Sequence, residues 1–305
     1  MGNTIKITGI SRGEIYSPNH TNNDGMIFQK TADELRNLGA IIEIMDEKKF
    51  LNSEVNGNIF FSMVRNPASV EKLIRMGENG ALVINSGTAI NNCYRANITR
   101  ILLEHNISYP KSIIVKTNDV VWEEMNVFEN YPVWIKRGDV HAIHKEDVVL
   151  AYSIAEANNV ISEFEKRGIK EAVIMEHIYG DIIKFYGVRE SGYFHWFNLL
   201  DSNHSKFNIE KTVNSNNHTK FDVKELQIMA ETSAQLAGIY IYGGDVIVRK
   251  DGSLCLIDLN DWPSFAPIRD AASKHIAKLI FNMATVYIKE KEGNQSFNCQ
   301  NKIAG

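Results

Sequence analysis

The chain is poor in cysteine, and its three, Cys93, Cys255 and Cys299, lie far apart. No two have the spacing of a metal pair, and an odd number leaves no disulfide framework. A stapled extracellular scaffold is therefore excluded and a reducing compartment expected. Long apolar runs are missing too, and none approaches the roughly 20 residues of a bilayer span. Met1 leads directly into a strand-like stretch, Thr4 to Ile10, without a basic segment and an apolar core, so no secretory signal is read and the cytoplasm is the expected location. Positive charge is not in excess: 33 Lys and Arg against 37 Asp and Glu give −4 and a pI near 6.2. That balance gives no field for nucleic acid, and no basic patch with interleaved aromatics occurs. Internal repeats are absent. The partners expected are small molecules, not nucleic acid or membrane, and oligomeric state cannot be read.

What is present is enough for a large core. With 305 residues, 44% of them hydrophobic, two or three packed subdomains are expected. The first third alternates strand and helix signals: a strand at Thr4–Ile10, a helix at Asp24–Leu38 stopped by Gly39, then strands at Ala40–Met45, Asn58–Val64 and Ala81–Asn85. Such alternation argues for a parallel sheet covered on both faces. A helix at Asn91–Glu104 leads to a strand at Ser112–Val115. The middle reads as a smaller α+β unit, with a strand at Val133–Lys136, a helix at Asp147–Lys166 and a strand at Ala172–Ile178. Strands at Asp181–Glu190 and Tyr193–Leu200 precede a polar loop, 201–219. A helix at Val223–Ala237, a strand pair and a helix at Arg269–Lys289 follow, and 293–305 is expected to be a disordered tail. The division expected is an N-terminal α/β domain over 1–90, a central unit over 91–177 and a C-terminal unit over 178–292.

The strongest chemical signal is the segment from Gly243 to Trp262. Asp251-Gly252 between two β-rich runs predicts a two-residue hairpin turn with Lys250 facing Ser253. Counted back from that turn, Asp245 falls opposite Asp258, on one face and about 5 Å apart at Cβ. Asn260, two residues on, projects to the same face. Like charges so opposed destabilise a sheet unless a proton or a cation intervenes. Hard oxygen donors of this kind suit Mg²⁺, with Mn²⁺ as a second candidate, completed by water and phosphate oxygens. Gly243-Gly244 leaves room for something to approach the backbone.

This hairpin, continuing as Asp258-Leu-Asn260-Asp-Trp-Pro263-Ser-Phe265, resembles the metal-binding end of the ATP-grasp superfamily. The resemblance extends over about residues 90 to 285 in the order that superfamily keeps. It implies an N-terminal parallel-sheet domain followed by an ATP-grasp fold of two α+β subdomains. It also implies ATP and two Mg²⁺ ions held by Asp245, Asp258 and Asn260. Lys136, in Pro132-Val-Trp-Ile-Lys136-Arg-Gly138, resembles the lysine that reaches the phosphates. Met175-Glu176-His177-Ile178 resembles the hinge whose main chain at Glu176 and Ile178 reads adenine. Lys184 is implied to point into the cleft, and Arg95 to touch phosphate.

Two departures stand out. The loop after Lys136 is not glycine- or serine-rich but reads Arg137-Gly-Asp-Val-His141-Ala-Ile-His144-Lys, and its histidines are candidates for contact with phosphate or acceptor. The strand Tyr193–Leu200 lacks the arginine that many ligases of the superfamily place there, which leaves Arg189 as a catalytic substitute one register away. The resemblance implies a ligase that activates a carboxylate as an acyl phosphate for attack by an amine. A kinase acting on a hydroxyl of a polyol or inositol phosphate is the alternative, with Arg12 and Arg65 as the scattered basic candidates for binding it. A non-catalytic nucleotide-binding protein is the third reading.

Overall fold

The computed structural model describes residues 4–16, 21–119, 128, 131–199 and 219–303, with side chains as far as Gly293. The expected loop over 201–219 thus falls, but for Thr219, outside the described residues. Among those described, no helix is long and apolar enough to cross a membrane.

Three four-stranded sheets follow one another along the chain. The first is all-parallel, in the order β2-β1-β3-β4, from β1 (Lys6–Ser11), β2 (Ile41–Asp46), β3 (Ile59–Ser62) and β4 (Leu82–Ile84). Its helices are α1 (Thr21–Asn37), α2 (Glu47–Asn52) and α3 (Pro67–Glu78). β1 is buried from Ile7 to Ile10 and β3 along its whole length, as strands covered on both faces are. Each short helix starts on a side-chain cap: Asp46 accepts from Lys49 N and Asn66 from Ala68 N.

The helix expected over Asn91–Glu104 is two helices, α4 (Gly87–Asn92) and α5 (Arg95–Glu104). Tyr94, extended at φ −62° and ψ 138°, separates them and places Arg95 in the first turn of α5. The second sheet is antiparallel, in the order β5-β8-β6-β7, with β5 (Ser112–Lys116), β6 (Val133–Arg137), β7 (Val148–Ala151) and β8 (Glu171–Glu176). β7 corrects the helix expected to begin at Asp147. The run Val-Val-Leu-Ala pairs with β6, and Ser153 caps the true helix α6 (Ile154–Lys166) by accepting from Glu156 N.

The third sheet, order β10-β9-β11-β12, holds β9 (Asp181–Val188), β10 (Tyr193–Asn198), β11 (Ile241–Val248) and β12 (Leu254–Asp261), all antiparallel. One face packs on α5 and α7 (Val223–Ala237), which ends at Gly238 in the left-handed region, φ 78°. The final helix, α8 (Arg269–Ile303), packs on α1 and the first sheet through Ala272, Ile276, Ile280 and Ala284. It continues beyond Gly293, where a disordered tail was expected. The flanking Glu, Lys and Gln are good helix formers, and one glycine does not stop a helix that long.

Candidate functional site in the cleft of the third sheet

Asp245 and Asp258 are cross-strand partners, as expected, but the turn between them is not the expected one. Arg249, not Lys250, faces Ser253: its N–H donates to Ser253 O at 2.9 Å, and Gly252 N–H donates to Arg249 O at 2.8 Å. The loop is therefore the three residues Lys250-Asp251-Gly252, with Gly252 at φ +84°. The pairing would then be one residue out of step, but the register shifts by one between Asp245 and Val246. Val246 pairs with Leu256 and Asp245 with Asp258, leaving Ile257 as the extra residue of a β-bulge. The longer turn and the bulge cancel. The bulge also presents Ile257 O toward Lys136 Nζ, 3.5 Å away.

Lys184 extends the row, since it pairs with Asp245 across β9 and forms an ion pair with it. Burial works against the ammonium, but Asp245 outweighs it and lifts Lys184 to about 12. Asp258 receives Arg95 Nη1 at 3.1 Å on one oxygen and Asn260 Nδ2 at 2.9 Å on the other. Burial pushes its carboxyl up, yet Arg95 and Lys136 outweigh it and hold it well below the usual carboxylate range. Lys136 is buried, and burial together with Arg95 lowers it to about 7 against the pull of Asp258 and Asp245. An arriving polyanion would favour its charged form. The structure thus gathers Lys136, Arg95, Lys184, Asp245, Asp258 and Asn260 in one partly buried cluster. Among the described residues no three His, Cys, Asp or Glu side chains form a metal-sized group. The donor set is two carboxylates and an amide.

The two glycines before Asp245 are filled by the chain itself. A Cβ at Gly243 would lie 2.8 Å from Pro263 and Tyr186, and one at Gly244 would lie 2.2 Å from Asp258 O. What approaches the backbone there is the chain's own packing, and not a ligand.

Met175-Glu176-His177-Ile178, expected as the hinge, runs from the last two residues of β8 into the linker before β9, with Glu176 N donating to Lys111 O at 2.9 Å. Sequence reading missed the aromatic group beside it. Trp134 Nε1 donates to His177 Nδ1 at 2.9 Å, and Tyr179 stands edge-on to His177 at 4.3 Å. The signal was the strand period, because Trp134 is two residues before Lys136 and shares its face.

Three expected site residues lie elsewhere. Arg189 is one residue past β9, stacks over Tyr240 at 4.4 Å and donates to Ile239 O at 3.3 Å, so it is not brought to the cleft. His144 is exposed and starts a short turn, its N–H donating to Asp147 at 2.9 Å. The Arg12 side chain is buried, donating to Asp24 at 2.8 Å and to the carbonyls of Met63 and Trp262 at 3.0 Å each. It ties the end of β1 to the end of β12. Arg65 joins it, donating to Asp261 O at 3.2 Å. His141, by contrast, is buried beside the cleft, 3.2 Å from Asp261 Oδ1. Burial first, then Arg65, lowers it to about 4, so it is neutral. Asp261 was missed although it follows Asn260, because alternation puts it on the other face of the strand.

Solved structures cover nearly the whole chain. D-alanine–D-alanine ligase from Bacillus anthracis complexed with ATP aligns at TM-score 0.68 and 14% identity, over 94% of this chain and 100% of that one. VanG D-Ala:D-Ser ligase from Enterococcus faecalis aligns at 0.66 and 13%, over 92% and 100%. The ATP-grasp ligase PsnB complexed with a minimal precursor aligns at 0.59 and 15%, over 92% and 99%. The fold is that of the ATP-grasp ligases. No protein-family model and no curated protein matches the chain, so the likeness is one of architecture.

Proposed function

We propose that this chain is an ATP- and Mg²⁺-dependent ligase that joins a carboxylate to an amine. The observation that carries the reading is the opposed pair Asp245 and Asp258, with Asn260 on their face and Lys136, Arg95 and Lys184 converging on them. Two half-buried carboxylates, one held ionised, and an amide oxygen fit a hard divalent cation that keeps water and phosphate in its shell. Bound there, Mg²⁺ would neutralise phosphate charge. In the chain itself, Lys136 and Arg95 would hold phosphate oxygens, Lys184 would orient Asp245, and the main chain at Glu176 and Ile178 would take the adenine edge. The sheets suggest a substrate-side domain over 1–90 and two nucleotide-gripping units over 91–177 and 178–292. A soluble cytoplasmic enzyme fits this reading.

The acceptor side favours a ligase over a kinase for a polyphosphorylated polyol. Such a substrate needs cations free to meet several phosphates. Arg12 and Arg65 face instead Asp24, Asp261 and backbone carbonyls within the chain. Incubation with ATP labelled at the γ-phosphate and pooled metabolites tests the choice. Amine-dependent release of ADP and labelled phosphate supports the ligase, whereas label retained in the acceptor overturns it.

A further inference from the structure

We propose that His141 is a positioning residue for the nucleotide site, wedged between Tyr94 and Asp261 so that the loop behind Lys136 and the strand carrying Asp258 and Asn260 keep one spacing. This rests on the nucleotide and metal reading given above.

The loop is tied down at both ends. Gly138 N donates to Glu171 O at 2.8 Å and Gly138 O accepts from Ala96 N at 2.9 Å, joining the loop to the helix that begins with Arg95. At the far end buried Asp147 accepts from Ile143 N at 2.7 Å, His144 N at 2.9 Å and Arg137 Nη1 at 3.2 Å. Between these anchors Val140 and Ile143 join the apolar cluster of Ile10, Val70 and Tyr94. His141 reaches Asp261, with the Tyr94 ring edge-on at 6.0 Å. From His141 two short paths lead to Asp258. One runs through Tyr94 to Arg95, the other through Asp261 down β12. Arg65 closes the ring, its O accepting from Tyr94 OH at 3.0 Å and its Nη2 donating to Asp261 O at 3.2 Å.

The bonding in this ring is incomplete. Both ring nitrogens of His141, both carboxylate oxygens of Asp261 and Nε of Arg65 are buried without an aligned hydrogen bond. Here the His141–Asp261 contact, at 3.2 Å, is the loop's direct link to β12, so its strength depends on where the loop sits relative to that strand. That is the property a spacer between Lys136 and the carboxylates requires.

The test is Mg²⁺–ATP affinity by calorimetry on the full chain, with melting temperature recorded in parallel. Wild type, His141→Ala, His141→Gln and a remote core control, Leu35→Ala, are compared. His141→Ala should weaken binding by about tenfold, the cost usual for residues that orient metal ligands. His141→Gln, whose amide nitrogen can stand where Nε2 does, should recover most of the loss. Leu35→Ala should melt earlier with unchanged affinity. Equal affinity in His141→Ala and wild type, or an equal loss in the two alanine variants, overturns the proposal while leaving the nucleotide site standing. If wild type itself does not bind, the reading beneath fails instead. Should His141→Ala not fold, Asp261→Asn is measured in its place, and wild-type affinity there overturns the proposal.

Discussion

Lys184 and Asp245 are direct cross-strand partners on β9 and β11, and their side chains form an ion pair in the middle of the cleft. Both are about three-quarters buried, at 27% and 25% side-chain exposure, so water screens the pair only in part. Removing the ammonium leaves Asp245 facing Asp258 without a counter-charge. Lys184→Met should weaken ATP binding by about 1.5–3 kcal/mol, the range for a charged hydrogen bond, as calorimetry would show. A variant that binds as wild type does would mean that Lys184 only balances Asp245.

Arg95 and Arg189 should part company. Arg95 donates to Asp258 within the cleft, whereas Arg189 stacks on Tyr240 outside it. Arg95→Ala should lose ATP affinity by about tenfold or more, because it removes a cation from the proposed phosphate site and the charged partner of Asp258 Oδ1. Arg189→Ala should leave ATP affinity and turnover within about twofold. Turnover assays on the two variants decide the matter, and a silent Arg95→Ala would count against the site.

Gly244 tests the packing beneath the carboxylates. A Cβ there would lie 2.2 Å from Asp258 O and 2.6 Å from the Phe185 ring, so β11 and β12 would have to part. Gly244→Ala should cost about 1–3 kcal/mol in urea unfolding. It should also weaken Mg²⁺ dependence, since the strand pair sets the spacing of the two acids.

Acid should destabilise the fold through His141. Its pKa falls from 6.5 in the unfolded chain to about 4 in the folded one. The neutral ring is therefore favoured by folding, and its contribution is complete above pH 6.5. As pH falls from 6.5 through about 4, the unfolded chain binds the proton first and stability drops, by up to about 3 kcal/mol. Asp261, held below the ordinary carboxylate range despite burial by Arg65 and His141, acts in the same direction at still lower pH. Urea midpoints at pH 7.5 and 5 should differ in wild type and differ less in His141→Gln. A flat wild-type profile would contradict the buried neutral ring.

The parts of this molecule that local chemistry dictates were legible in the sequence. Caps, glycine stops and alternating strands placed most elements of the three sheets, and period two put Asp258 and Asn260 on one face. The Asp245–Asp258 pairing was also read, but through two departures that offset each other. A turn of three residues and a bulge at Ile257 are both tertiary choices, the bulge leaving Leu256 N to bond Ser108 O at 2.8 Å. β7 escaped because Val148–Ala151 is short and abuts a helix. Arg189 was misplaced because one residue of strand register reverses a side chain's face. The Arg12, Arg65, His141 and Asp261 cluster joins segments distant in the chain, with Arg12 bonding Trp262 O across 250 positions, which no local pattern reports.

Asp245, Asp258 and Asn260 are proposed to form the metal end of an ATP site. This assignment is tested most directly by titrating ATP into wild type and Asp258→Asn, each with and without Mg²⁺, in a calorimeter. Binding tighter than about 1 mM, the upper end of ordinary enzyme affinities, is expected only in wild type and only with Mg²⁺. Wild-type binding absent, or unchanged by removing either Mg²⁺ or the Asp258 charge, would contradict it.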